Sequence, residues 1–188
     1  IVKNSDFLSS EFYDSDGILS EKVNEDTIEK FRQITDIEER RYVSDDLNAS
    51  DIGFFAARDA LKSSNIDKES LDYIIVAHNF GDVRVGNRRS DLVPTIAARV
   101  KHKLRIENPY AVAFDIPFGC PGWLQGMIIA NYLIRSGDAK KILVVGAETL
   151  SRVSDPHDID CMIYSDGAGA TLVESTDENV GILSHVTR

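Results

Sequence analysis

Two cysteines, Cys120 and Cys161, are too few to staple a chain of 188 residues, so a disulfide scaffold is excluded and each sulfur is either a packed thiol or a reactive one. Long apolar runs are missing as well. The one around Ile142–Ala147 falls far below the ~20 residues needed to cross a bilayer. The opening Ile1-Val2-Lys3-Asn4-Ser5-Asp6 lacks the layout of a signal peptide, and a soluble, cytoplasmic protein is expected. With 5 Pro and 12 Gly, and no repeat, heptad or Pro/Ser-rich linker, collagen-like, coiled-coil and low-complexity readings fail. Positive charge is scarce: 21 Lys and Arg face 31 Asp and Glu, a net charge of -10 that argues against nonspecific nucleic-acid binding. What is present is 43% hydrophobic residues, enough for a real core, and residues 1–188 read as one structural unit.

The charge deficit is uneven. Residues 1–83 hold 9 basic and 19 acidic side chains, residues 84–105 hold 7 and 1, and residues 106–188 hold 5 and 11. One basic stripe, beginning with Arg84, Arg88 and Arg89, interrupts an acidic protein. It is either a solvated face or a dock for an anionic partner, such as a phosphate-bearing ligand or an acidic carrier protein.

Helical spacing predicts helices over Glu25–Gln33, Asn48–Ser63 and Thr95–Leu104, the last preceded by Pro94 and ending in Lys101, Lys103 and Arg105, whose charge suits the negative end of its dipole. A fourth runs from about Pro121 to Ser136, with Gly137 as its stop. Continuous apolar runs at Tyr73–Ala77, Ala111–Ile116 and Lys141–Gly146 read as strands covered on both faces, with further strands at Ala168–Glu174 and Gly181–Arg188. His78–Val93 reads as a polar loop, and no strand is expected before the first helix. Strands alternating with helices on short connections predict an α/β fold, a mostly parallel sheet with helices on both faces. The abrupt ends read as those of a piece of a longer protein.

The most suggestive residue is Cys120, in Pro117-Phe118-Gly119-Cys120-Pro121-Gly122, between a buried strand and a helix that Pro121 is expected to open. Unpaired backbone N–H groups and the positive dipole end at a helix start favour thiolate over thiol, and the same N–H groups can stabilise an oxyanion on a thioester carbonyl. Gly119 and Gly122 permit tight backbone geometry. A small packed thiol is the alternative. Cys161 lacks a helix start or flanking glycine and reads as core. Of four histidines, His78, at the end of the first long strand, is the one local candidate for a base; His102, His157 and His185 read as surface. No residue set has metal-ligand spacing, and no metal is expected. Ser165-Asp166-Gly167-Ala168-Gly169-Ala170 precedes a strand instead of following one, which is wrong for a dinucleotide loop; a tight turn bringing Asp166 against the nucleophile helix is the expectation.

In order, Phe114-Asp115-Ile116-x-x-x-Cys120-x-Gly122, Ser136-Gly137, Ile142-Leu143-Val144-Val145-Gly146-Ala147-Glu148, Asp155-Pro156 and Ser165-Asp166-Gly167-Ala168-Gly169-Ala170 resemble the N-terminal half of a β-ketoacyl-acyl carrier protein synthase III, a thiolase-like condensing enzyme. The resemblance, from about Asn24 onward and including Ile37-Glu38-Glu39-Arg40, implies a thiolase-like N-terminal domain with a mostly parallel or mixed five-stranded sheet lacking its first strand. It implies that Cys120 takes an acyl group from acyl-CoA or acyl-carrier protein, and that a malonyl-carrier thioester loses carbon dioxide and attacks that group, in fatty-acid or related biosynthesis. No cofactor beyond these substrates is implied; the carrier protein is the partner and a homodimer the expected assembly. The family's decarboxylating His and Asn come from the C-terminal half, so residues 1–188 alone are expected not to complete condensation. The family's coenzyme A-gripping aromatic and arginine fall here on Lys30 and Ile34, and a further arginine near Ile159. Arg84, Arg88 and Arg89 are the candidates for phosphate or carrier contact in their place. The remaining readings are a synthase III-like transfer to an alcohol or amine without decarboxylation, and a non-catalytic thiolase-like scaffold.

Overall fold

A computed structural model describes residues 1–178 and 180–187. In chain order the elements are β1 (Val2–Lys3), α1 (Asn24–Thr35), β2 (Glu39–Arg40), α2 (Ala49–Ser64), β3 (Tyr73–His78), β4 (Asp82–Arg84) and β5 (Asn87–Asp91). They continue with α3 (Ile96–Lys103), β6 (Val112–Pro117), α4 (Gly122–Arg135), β7 (Lys141–Glu148) and β8 (Gly167–Glu174). A central sheet runs in the order β6-β3-β7-β8, with β3 parallel to both β6 and β7, and β8 antiparallel to β7. The chain reaches β6 from β3 through α3, and β7 from β6 through α4, because parallel strands cannot be joined by a tight turn.

The continuous apolar runs explain the layering. Successive side chains of a strand point to opposite faces, so a strand covered on both sides must be apolar at every position. Ile74, Val76, Leu143 and Val145 pack toward α2 and α3, with Ala57, Ile96, Ala97 and Val100. Ile75, Ile142 and Val144 face the other way, onto Ala130 and Met127 of α4. All seven strand residues are fully buried, and each contributes about 1.5–3 kcal/mol relative to exposure. A third cluster, Phe12, Ile28, Phe31, Cys161 and Met162, joins α1 to the Ile159–Ile163 turn beside the sheet.

Helix ends follow local chemistry. Thr95 Oγ1 accepts from the Ala98 N–H at 3.1 Å, and Asn48 and Asp51 form a capping box at the start of α2. Gly137 closes α4 at φ 81°, a left-handed value that favours glycine.

Three expectations are corrected. The central sheet has four strands, not five: residues 181–187 form no ladder, Leu183 and Val186 are exposed, and His185 meets the ring of Tyr132 on α4 at 5.1 Å. Arg188 lies outside the described residues. His78–Val93 is mostly a hairpin, β4 against β5, turned at Gly86 with φ 71°. A strand does precede α1, because β1 pairs antiparallel with β2.

The tightest contact in the sandwich is between α4 and the sheet. A Cβ on Gly126 would stand 2.8 Å from Val144 Cγ1, and one on Gly122 2.9 Å from Ala77 Cβ. Gly126→Ala should lower the stability read from urea unfolding by about 1–3 kcal/mol, the usual cost of overpacking. Gly167→Ala, where a Cβ meets nothing within 4 Å, should stay within about 0.5 kcal/mol of the parent chain.

Candidate active site at the carboxyl edge of the sheet

Parallel strands deliver their last residues to one edge, and β6 ends there at Pro117, beside the last residue of β3, His78. The Phe118 N–H donates to the His78 carbonyl at 3.3 Å, holding the exit of β6 against β3. Gly119 reverses the chain at φ 64°, and the Gly122 N–H donates back to its carbonyl at 3.0 Å. Cys120, the residue between, is exposed to solvent. Pro121 is the N-cap of α4 rather than its first helical residue, which places Cys120 one step outside the helix. Proline offers no side-chain acceptor, so no side-chain cap closes the amino end of α4. The thiol therefore stands before a 14-residue helix whose first-turn amides and positive dipole end are not answered by a side chain. Such a setting favours negative charge on an oxygen bound beside the sulfur.

His78 is buried and engaged on both ring nitrogens. Nδ1 accepts from the Gly81 N–H at 3.0 Å, which leaves the hydrogen on Nε2, 2.9 Å from Asp115 Oδ2. Neither nitrogen is directed to Cys120, so the local base weighed from the sequence is an anchor instead. Asp115 also accepts from the Ile96 N–H through Oδ2 and the Ala97 N–H through Oδ1, both at 2.7 Å, closing the amino end of α3. Asp82 plays the same part for α2, accepting from the Ser50 N–H and hydroxyl, each at 2.7 Å.

The basic stripe divides. Arg99 bridges Asp82 and Asp91 at 2.7 and 2.8 Å, and its guanidinium holds the Asp91 carboxyl below the usual range. Lys101 donates to the Ala111 carbonyl and Lys103 pairs with Asp51. These three cations serve the fold. Arg84, Arg88 and Arg89 are exposed together on the β4–β5 hairpin, which continues from the chain leaving β3.

Asp166 does not lie against α4 as expected. Its carboxylate accepts from the Val43 N–H at 2.8 Å, the Ser151 hydroxyl at 2.6 Å and the Ser151 N–H at 2.9 Å, pinning residues 41–43 to the Leu150–Arg152 turn. The cause is the entry to β8: Asp166 lies just before it, and its N–H donates to the Arg41 carbonyl. Cys161 is buried in its cluster, as expected, and burial pushes its thiol above the ordinary value. Lys30, Ile34 and Ile159 come together in one groove between α1 and the Ile159–Ile163 turn.

Two residues at this edge were not singled out from the sequence. Glu148, the last residue of β7, accepts from the Asn79 N–H at 2.5 Å and from its neighbour Thr149. Asn79 in turn lies by the Cys120 turn, its Oδ1 3.7 Å from where a Cβ on Gly119 would be. The available signal was an acid closing an apolar run; Asp115, by contrast, stands inside one, with Ile116 and Pro117 after it.

Residues 114–188 match the family described as 3-Oxoacyl-[acyl-carrier-protein (ACP)] synthase III. The chain is 36% identical over 165 residues to a beta-ketoacyl-[acyl-carrier-protein] synthase III of Xanthomonas campestris, covering 87% of this chain and 47% of that one. A Clostridium perfringens protein of the same name is 39% identical over 145 residues, 77% of this chain and 42% of the other. A solved synthase III of Thermus thermophilus superposes with a TM-score of 0.66 at 35% identity, covering 77% of this chain and 42% of that one. The chain thus spans about half the length of the curated relatives it matches.

Exposure at Cys120 and burial at Cys161 give a direct test. Iodoacetamide at neutral pH should alkylate Cys120 in the folded protein and both thiols once urea unfolds it; rapid labelling of Cys161 in the folded protein would contradict its placement.

Proposed function

We propose that Cys120 is the nucleophile of an acyltransferase of the 3-oxoacyl-[acyl-carrier-protein] synthase III family, which residues 114–188 match, taking an acyl group from a thioester before condensation with a malonyl-carrier thioester. The observation that carries the proposal is an exposed sulfur immediately before a helix whose amino end has no side-chain cap.

The chemistry follows from that geometry. The Cys120 sulfur attacks the thioester carbonyl, and the carbonyl electron pair moves onto oxygen. The Cys120 N–H and the first-turn amides of α4 suit that oxyanion, for which a missing donor of this kind costs about 2.7–4 kcal/mol in enzymes that use one. Collapse of the tetrahedral species expels the carrier or coenzyme thiolate and leaves an acyl-cysteine. In the second half-reaction the malonyl thioester loses its carboxylate as carbon dioxide, and the electron pair so released forms a carbon–carbon bond to the acyl carbonyl, returning the Cys120 thiolate. The product is a 3-oxoacyl-carrier thioester, placing the protein in fatty-acid or related biosynthesis. His78 takes no part beyond holding Asp115.

Arg84, Arg88 and Arg89 are proposed as the contact for the phosphate or acidic surface of the carrier protein. An exposed cationic hairpin on a chain of net charge -10 is a local reversal of field, and such reversals steer an anionic partner to one place.

Incubation with an acyl thioester should give a hydrolysable adduct on Cys120, read by mass spectrometry and absent in Cys120→Ser; an adduct elsewhere, or none, would refute the assignment. Replacing Arg84, Arg88 and Arg89 together by Ala should weaken carrier binding about tenfold at low salt and flatten its salt dependence. Unchanged affinity returns the hairpin to a solubility role.

A further inference from the structure

The cationic hairpin has little of its own to hold it. Every residue of β5 is exposed, and a two-stranded ladder without a covered face is marginal in water. The ladder is also interrupted: Asp82 pairs with Asp91 at the base and Arg84 with Asn87 near the tip, with a shift of register between them. Strand β4 is anchored in the body of the protein, because Val83 is buried and the Arg152 guanidinium donates to its carbonyl at 2.7 Å. Strand β5 depends on a different arginine.

At the base of the hairpin the ladder sets two acids opposite one another, and like charges so placed push the strands apart. Arg99 of α3 stands between them. Its Nη1 donates to Asp82 Oδ2 at 2.7 Å, its Nη2 pairs with Asp91 Oδ1 at 2.8 Å, and its Nε donates to the Pro94 carbonyl at 2.9 Å. One planar fork therefore holds the start of β4, the end of β5 and the chain just before α3. A lysine, with a single point of charge, does not span all three.

The clamp ties the hairpin to the body of the protein. Asp82, 5% exposed, also accepts from the Ser50 N–H and hydroxyl at the start of α2. A Cβ on Gly81 would stand 2.8 Å from the Asp91 carbonyl oxygen, so the returning strand lies against the chain leaving β3. Isolated surface ion pairs contribute little, but one guanidinium shared by two carboxylates, its side chain only 18% exposed, forms a network.

Asp91 is the one acid among residues 84–105. It subtracts from the field of Arg84, Arg88 and Arg89, which weakens the attraction of an anionic partner. Anchoring β5 is what it gives in return.

We propose that Arg99, acting through Asp91, is a positioning residue for the carrier contact: it holds Arg84, Arg88 and Arg89 in one orientation, so that an acidic partner meets them preordered. The proposal rests on the reading of the hairpin as the carrier's contact.

The test titrates the full chain with a dye-labelled acyl carrier protein at low salt, read by fluorescence anisotropy, and follows amide hydrogen exchange over residues 84–91. Asp91→Ala is the decisive variant, because field and position predict opposite signs. Removing an acid from the stripe strengthens its attraction for an acidic carrier; removing the anchor of β5 should weaken binding at least about threefold and speed exchange over residues 84–91 by about the same factor. Arg99→Lys keeps the charge, loses the fork and should act in the same direction. The Asp91 side chain is half exposed, so in Asp91→Ala the alkylation of Cys120 by iodoacetamide and exchange in β3 and β7 should match the parent chain. Carrier affinity unchanged or raised in Asp91→Ala, or exchange over residues 84–91 unchanged, would overturn the proposal; where replacing Arg84, Arg88 and Arg89 by Ala still weakens binding, the contact itself stands. Unchanged affinity in that triple variant refutes the contact and the positioning role together.

Discussion

The contact of Gly122 with Ala77 governs where every group at the carboxyl edge stands. No side chain fits between α4 and β3 at that point, so the helix axis approaches the sheet until backbone meets methyl. The same demand recurs one turn on, at Gly126 against Val144, and from the sheet side at Gly146, where a Cβ would lie 3.4 Å from Trp123 Cβ. Three glycines thus set the depth of α4, and its depth sets the position of its amino end. With β6 entering on one side and α4 leaving on the other, Gly119–Pro121 has little freedom, and Cys120 is carried at the edge by packing that lies elsewhere.

The acidic composition acquires a structural meaning at the other helices. Buried or half-buried carboxylates answer the amino ends on the opposite face of the sheet: Asp82 with Asp51 at α2, and Asp115 with Thr95 at α3. A carboxylate at a helix start satisfies orphan N–H groups and lowers the energy of the dipole together. At α4 the capping residue is Pro121, which can do neither. Of the three helices that sandwich the sheet, the one beginning beside the exposed thiol is the one left without an anion. The difference is chemical: the uncapped end is available to an oxyanion, while the capped ends are consumed by the fold.

What the sequence revealed, and what it concealed, divides along the same line. Strands buried on both faces must be apolar throughout, so β3 and β7 were legible as runs; β6 read the same way, yet it is the edge strand and its residues are at most partly covered, while helix spacing with Gly137 as a stop located α4 to within a residue. Cys120 was legible because strand, glycine, thiol and proline are neighbours in the chain. The role of His78 was not, because its partners Gly81 and Asp115 meet it through sheet register and the return of the chain after β3. Asp166 was misplaced for a similar reason: its donors at Val43 and Ser151 are joined only by the folded chain. The strand expected over 181–188 is absent over 181–187 because alternating apolar residues make a strand only where a sheet edge receives them, and here Leu183 and Val186 stay exposed.

The basic stripe shows why charge read along a chain differs from charge presented in space. Seven cations in residues 84–105 look continuous, yet Arg99, Lys101 and Lys103 point their charge into Asp82, the Ala111 carbonyl and Asp51. A cation already paired with a nearby anion contributes little to the field beyond a Debye length of about 8–10 Å. The outward field of the stripe is therefore that of Arg84, Arg88 and Arg89 on the hairpin together with Arg105, exposed just past the end of α3. The carrier proposed as partner brings an acidic surface, and the hairpin that would meet it continues from β3, the strand that ends at the edge carrying Cys120.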